Sequence, residues 1–432
     1  MIMIKSLSLN INKDHTKSLA LTIILYYGMV NGAIIGLFNF NSIDLLLFVV
    51  EGGIIALSMV YVLEDIPTQM ILLYFFVLSV FLISVLFFPE NQLILWNNAR
   101  SLFLFCIPTC CLIVSIRDTN YLWNLLCIGA YVTILSGLIF DITLYSKTAI
   151  EGGYSMWFGY QMTIPTMIAL WRWFNKKGRI MAFIMASIGL FLIIMRGSRA
   201  PILIIVIYIF ICIVYYVVKI ENGSKGKGPF KATMRIGRNN YSVVRLAILV
   251  LLTIATVYVL LNIEDIAGQL YVYFLSKGQD IRTFRVLSMK NALQYVSGRD
   301  QIYSISIELI KKHPLIGYGM GGDCIQIASQ LGKSASEASG LYAHNLILEL
   351  VLNYGVPVGA LLSIAYYGLV IKKMYILRNK DEVQSLYLII AVVGITVSLL
   401  SANYLDAPVL WLLLGMAIKK PRARMGELDG VL

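Results

Sequence analysis

Several polar clusters in this chain have the residue types and spacing to hold a charged group or move a proton. Arg196-Gly-Ser-Arg199 sets two guanidiniums in a short turn between apolar runs. A guanidinium fork grips phosphate oxygens in pairs, so this turn reads either as two side chains snorkelling from helix ends or as an anion clamp. Arg299 lies in Ser297-Gly-Arg-Asp300, which has the S-x-x-D spacing of a capping box. Tyr342-Ala-His344-Asn345 stands directly before a long apolar run. An imidazole there either makes a structural hydrogen bond or orients and deprotonates a hydroxyl. Asn345 is a good helix N-cap, and the helix's positive end would then face a docked anion. Glu349 follows about one turn further on. Arg100, at the edge of another apolar run, is a second snorkelling residue or a further anion contact. Glu51, inside an apolar run, is a costly intramembrane acid, functional or paired with a neighbouring helix.

Gly317-Tyr-Gly319-Met-Gly321-Gly322 fits the dinucleotide pattern G-x-G-x-x-G in letters only. No strand precedes it, so it reads as a tight, flexible turn able to offer backbone N–H groups to an anion. There is no P-loop, no H-E-x-x-H and no Cys/His spacing for zinc. The expected chemistry uses no cofactor and no metal. Cys106, Cys110, Cys111, Cys127 and Cys212 lie in apolar runs and Cys324 lies apart from them, so no disulfide framework is expected.

The elements that position these residues follow from composition. The chain is 59% hydrophobic and 13% charged, against about 25% charged in soluble globular chains. So few charges do not coat a soluble protein of this size. Apolar runs of about 20 residues, the length that crosses a bilayer as helix, recur at 18–38, 43–62, 70–88, 101–116, 121–142, 155–173, 180–195, 200–218, 243–261, 343–371, 384–403 and 406–418. Continuous runs imply helices rather than the alternating strands of a barrel. The expected fold is an all-α polytopic membrane protein of about twelve transmembrane helices. No cleavable signal peptide is expected at the start.

The net charge of +12 would suit nucleic acid, but the basic residues sit between apolar runs instead of in one patch. Read by the positive-inside rule, most Lys and Arg fall in cytoplasmic segments when both termini are cytoplasmic. Residues 219–242, basic and rich in Gly and Ser, read as a cytoplasmic loop lying against anionic lipid. The expected layout is helices 1–9 over 1–261, a large extracytoplasmic loop over 262–342, helices 10–12 over 343–418 and a cytoplasmic tail over 419–432. A loop of that length should carry helices. The clearest starts at Ser297, carries Ile302, Ile305, Leu309 and Ile310 at helical spacing and stops at Pro314; it should lie flat on the membrane or pack against the spans. Tyr354-Gly-Val-Pro357 should bend the tenth helix.

Taken together, Arg196-Gly-Ser-Arg199, Gly298-Arg299, His313-Pro-Leu-Ile-Gly317-Tyr-Gly319, His344-Asn-Leu-Ile-Leu-Glu349 and Gly355-Val-Pro-Val-Gly359 occur in one order. The set resembles the O-antigen polymerase/ligase superfamily, Wzy- and WaaL-type bacterial glycosyltransferases of the GT-C class, over about residues 190–360. The resemblance implies a metal-independent, inverting transfer at the outer face of the bacterial inner membrane. An acceptor hydroxyl attacks the anomeric carbon of a glycan carried on undecaprenyl diphosphate, and the lipid diphosphate leaves. By resemblance, His344 orients or deprotonates the acceptor, and Arg299 with Arg196 or Arg199 holds the diphosphate. The family's Arg-x10-Gly repeats are missing from the outer segments. The resemblance further implies membrane lipids, a flippase and a chain-length regulator as partners, and no nucleic acid. Polymerase is the first reading, with ligase and flippase or transporter as alternatives. Little repetition between halves and polar chemistry gathered in one outer segment weigh against a transporter.

Overall fold

The computed structural model describes residues 12–38, 41–141, 156–175, 178–195, 199–221, 262–278, 282–289, 299–377, 381–401 and 403–419. Every regular element among them is helical. Helices Lys13–Phe38, Asn41–Asp65, Thr68–Phe87, Thr119–Phe140, Met156–Phe174, Arg179–Met195, Arg199–Glu221, Leu346–Leu377, Asp381–Leu400 and Pro408–Ile418 lie where apolar runs were expected. The expected span 101–116 belongs to a longer stretch, Pro89–Ser115, that includes a π-helical turn at Leu102–Cys106. Span 243–261 and loop 222–242 lie outside the described residues.

Five of these helices are long and apolar enough to cross a membrane, including Thr68–Phe87 and Leu346–Leu377. On Thr68–Phe87, Leu72, Phe75, Phe76, Leu86 and Phe87 are all exposed. Large apolar side chains turned outward along a whole helix face, opposite the buried Met70, Val77 and Phe81, are solvated by lipid, not by water. Arg179–Met195, Ala200–Cys212, Ser385–Leu400 and Pro408–Ile418 are shorter apolar helical stretches. The protein is therefore a multi-pass helical membrane protein.

The chain clusters into two units. The first comprises residues 1–25, 45–126 and 299–432, and the second 26–44 and 127–298. In the first, Ile107–Ser115 packs on Pro408–Ile418, which also touches Leu346–Leu377 and Asp381–Leu400. Lys419 Nζ donates to the carbonyls of Ile113, at 3.0 Å, and Ile116, closing the end of the Ile107–Ser115 helix. Lys17, fully buried, pairs with Asp65 at 2.9 Å, and Arg117 pairs with the same carboxylate. The backbone N–H groups of Arg117 and Asp118 each donate to Asp14 Oδ2 at 3.0 Å. Charges expected only to set topology thus also tie three helix ends together. In the second unit, Met156–Phe174 packs on Arg179–Met195, and Ile263–Ser276 packs on Arg282–Leu287 through a Phe274–Phe284 stack at 5.6 Å. None of the six cysteines is in a disulfide, and all are buried.

Candidate functional site

The first unit gathers most of the singled-out residues around the start of the Leu346–Leu377 helix. Helix Arg299–Lys312 begins at Arg299, as expected; Ser297 of the anticipated capping box lies outside the described residues. Its buried Ile302 and Leu309 share an apolar cluster with Tyr318, Ile327, Ala343 and Leu352, flanked by Ile305 and Ile310. That cluster fixes Arg299–Lys312 against the Leu346–Leu377 helix. Arg299, half-buried, is thereby close enough to His344 for its positive charge to act on the imidazole.

Asn345 caps the helix as its residue type predicts. Its Oδ1 accepts from the backbone N–H of Ile347 at 3.0 Å and Leu348 at 3.3 Å. His344 just before it has φ 52°, and among the described residues no other non-glycine residue has a positive φ. That left-handed conformation is uncommon for a residue with a Cβ and costs on the order of 1–3 kcal/mol. The His344 ring lies 4.1 Å from the Tyr342 ring. Its Nδ1 is buried and has no hydrogen-bond partner among the described residues. Burial, then the nearby Arg299 charge, push the imidazole pKa down to about 4. The ring is neutral at physiological pH and can accept a proton or a hydrogen bond.

Behind His344 lies a layer the sequence did not announce. Asp323, in the first turn of helix Gly322–Gln330, is fully buried. Its Oδ2 accepts from Ala343 N–H at 3.4 Å, its own N–H donates to Asn353 Oδ1 at 2.9 Å, and its Oδ1 has no partner among the described residues. Burial raises this carboxyl to about 6. Asn353 Nδ2 donates to Tyr404 Oη at 3.4 Å, and the hydroxyls of Tyr354 and Tyr404 are 2.8 Å apart. Glu349, one turn inside the helix, is also fully buried. The Tyr404 backbone lies near it, yet neither Glu349 oxygen closes a hydrogen bond of normal geometry among the described residues. Buried acids are invisible in sequence: Asp323 follows a glycine run like any surface turn residue, and only packing shows its burial.

The Gly317–Gly319 turn differs from the expectation. Its amides are occupied by the Leu346–Leu377 helix: Tyr318 N–H donates to Leu352 O at 2.9 Å, and Gly319 N–H to Asn353 O at 2.8 Å. In return Val356 N–H donates to Pro314 O at 2.7 Å. The helix breaks at Gly355, with φ 76° and ψ 168°, where the Tyr-Gly-Val-Pro sequence predicted a bend. A break orphans backbone groups, and here the turn satisfies them. The approach is backbone to backbone, since a Cβ at Gly317 would lie 2.6 Å from Gly355 N. These two amides therefore buttress the helix and do not face an anion.

Arg100 is exposed on helix Gln92–Ser101, which packs against the turn Ala335–Gly340. Arg196 lies outside the described residues, and Arg199 opens helix Arg199–Glu221 in the second unit with its side chain undescribed. The side chain of Glu51 is likewise undescribed. Among the described residues no cluster of His, Cys, Asp or Glu is arranged to hold a metal.

The protein thus holds a neutral imidazole within the field of a guanidinium, a proton acceptor and an anion-binding group close together. Residues 180–363 match the family model described as O-antigen ligase. That stretch contains Arg199, Arg299, His344 and Gly355, and the match supports the O-antigen polymerase/ligase superfamily as what this part of the chain is similar to. None of the curated proteins matches the chain. The match supports glycan transfer of the polymerase or ligase type on lipid-linked oligosaccharides in general.

Proposed function

We propose that this protein is a polysaccharide polymerase that joins repeat units carried on undecaprenyl diphosphate at the outer face of the bacterial inner membrane. The observation that carries the reading is that the Arg299 charge reaches the buried, neutral His344 ring just before the Leu346–Leu377 helix. In this reading 262–342 is extracytoplasmic and both termini are cytoplasmic. Arg299 binds the diphosphate of the donor, with Arg196, Arg199 and Arg100 as further cations. The acceptor hydroxyl hydrogen-bonds to the neutral His344 ring and attacks the anomeric carbon with inversion. Negative charge grows on the leaving diphosphate as the glycosidic bond breaks, and fixed guanidiniums stabilise it there.

The low basicity of His344 fits this order of events. Burial first, and the Arg299 charge after it, depress the imidazole pKa; a diphosphate seated on Arg299 cancels the second of these and makes the ring a better base once the donor is bound. Asn345 and Glu349 support the ring's mount, and Gly317 and Gly319 fix the helix break behind it. A flippase and a chain-length regulator are the expected partners.

The second reading is a ligase that moves finished glycan to another acceptor, which the description of the matched family favours. Purified protein in proteoliposomes, given lipid-linked repeat units alone, separates the two. A ladder of lengthened lipid-linked glycan supports the polymerase. Product formed only when a second acceptor is added supports the ligase. Absence of any new glycosidic bond, with donor moved between leaflets, would establish a transporter instead.

A further inference from the structure

We propose that Asp323 is a positioning residue for His344: its buried side chain holds the backbone that sets the imidazole in its left-handed turn. This rests on the role given to His344 above. The strain at His344, φ 52°, persists only if its neighbours are tied down. On the C-terminal side Asn345 is locked as the helix cap. On the N-terminal side the Tyr342 hydroxyl donates to Ser401 O at 2.8 Å, and Ala343 N–H donates to Asp323 Oδ2. Asp323 is itself anchored to the far side of the same helix through Asn353. Asp323 thus couples the residue before His344, held by its carboxyl, to the helix after it, held by its backbone N–H. Nothing else among the described residues bridges those two segments through a fully buried charged group.

An apolar cavity filler, or a neutral amide, would suffice for packing alone. A buried acid whose Oδ1 finds no donor among the described residues is expensive unless its charge has a use. As an ionised acceptor it holds Ala343 N–H more firmly than a neutral one does. The groups that act on it or feel its charge are Cys324 on its own helix, Glu349, Asn353 and Tyr354 from the Leu346–Leu377 helix, Tyr404 from the 403–407 segment, and Ala343 before the helix; Asp406 reaches Cys324 and Glu349. As pH falls through about 6 Asp323 gains a proton and the hold weakens. The wild-type kcat should then fall along an acid limb near pH 6, well above the His344 titration. Asp406, also raised to about 6, is the control for that assignment.

The test compares Asp323→Ala, Asp323→Asn and Asp406→Asn with wild type in proteoliposomes supplied with lipid-linked repeat units. Asp323→Ala should lose about 10²-fold in kcat, the effect of a misplaced catalytic group, with KM for the donor unchanged. Asp323→Asn, whose amide oxygen still accepts from Ala343, should recover most of that rate but lack the limb near pH 6. Asp406→Asn should keep the limb. A wild-type kcat in Asp323→Ala, or an unchanged limb in Asp323→Asn, overturns the proposal. A second arm needs no turnover: histidine-labelled protein in nanodiscs is titrated by NMR. With three histidines in the chain, the His344 signal is identified by its loss in His344→Ala. Asp323→Ala should move that ring's titration up from about 4 toward the ordinary 6.5. An unmoved titration refutes the positioning role. Inactive wild-type protein would sink the functional reading alone, and the NMR arm would still decide this one.

Discussion

At the scale of single residues, charge and burial make opposite demands on the two ionisable groups behind the helix mouth. His344 is depressed to about 4 from 6.5, so the folded state binds fewer protons than the unfolded chain. Its stabilising contribution is present above pH 6.5 and is lost as pH falls through about 4. Asp323 has the reverse sign, raised from 3.8 to about 6, so its contribution is present below 3.8 and lost as pH rises through about 6. Ionised Asp323 at neutral pH therefore destabilises the fold by on the order of 3 kcal/mol. Asp323→Asn should raise the thermal midpoint at pH 7.5 by several degrees, with the gain shrinking to nothing below pH 4; an equal gain at both pH values would refute a buried charge. Replacing the proposed catalytic groups has a different signature. His344→Ala should cut transfer by about 10²–10⁴-fold without loss of folded protein, and Arg299→Ala by about 10²–10³-fold. Arg299→Lys should restore little, because an ammonium does not reproduce the fork on a diphosphate. Wild-type product lengths in the alanine variants would sink the assigned roles.

At the scale of elements, the break in the Leu346–Leu377 helix organises the site. Thirty-two residues of helix would reach about 48 Å at about 1.5 Å per residue, against a hydrocarbon core of about 30 Å. The interruption at Gly355 leaves the remaining turns ample length to cross and frees the first turns to carry Glu349 and Asn353 beneath His344. Gly355 must be glycine for two reasons. Its φ is 76°, and a Cβ there would lie 2.8 Å from Ile316 N. Gly355→Ala should push the 314–319 turn off the helix and lower the yield of folded, detergent-stable protein severely. Size-exclusion profiles and thermal midpoints equal to wild type would show that the two backbones do not pack so closely. Asn345→Ala, which removes only the cap, should destabilise by about 1 kcal/mol and leave the protein folded.

At the scale of the molecule, the reading requires the Ala335–Gly340 turn and its neighbours to face the outside. Ser336 is exposed, while the six native cysteines are all buried. Ser336→Cys in intact cells should react with a membrane-impermeant maleimide against a low background. Labelling only after the cells are opened would invert the topology and remove the proposed site from its substrate. The ion cluster of Lys17, Asp65, Arg117 and Asp14 makes a separate stability prediction for the other end of the first unit. Asp65→Ala leaves Lys17 buried without its closest partner and should cost about 3–5 kcal/mol, read as a loss of folded protein on extraction.

Much of this protein was legible without coordinates, because membrane insertion is decided by local sequence. A run of about 20 apolar residues has nowhere to satisfy its backbone in lipid except within its own helix, so run length alone located the helices. The same locality exposed the Asn345 cap, the stop at Pro314 and the bend at Gly355-Val-Pro357, each of which depends on one or two side chains acting on their own backbone. The approach of Arg299 to His344 was anticipated only by family resemblance, not by spacing, since 44 intervening residues carry no distance information by themselves. What the tertiary structure alone decided is burial and pairing between distant segments. It turned Asp323 from a turn residue into a buried acid bonded to Ala343, and it spent the Gly317–Gly319 amides on the carbonyls freed at Gly355. Both arise where two stretches of backbone far apart in the chain satisfy each other's hydrogen bonds. No local pattern of residue types encodes that pairing; only the packed chain does.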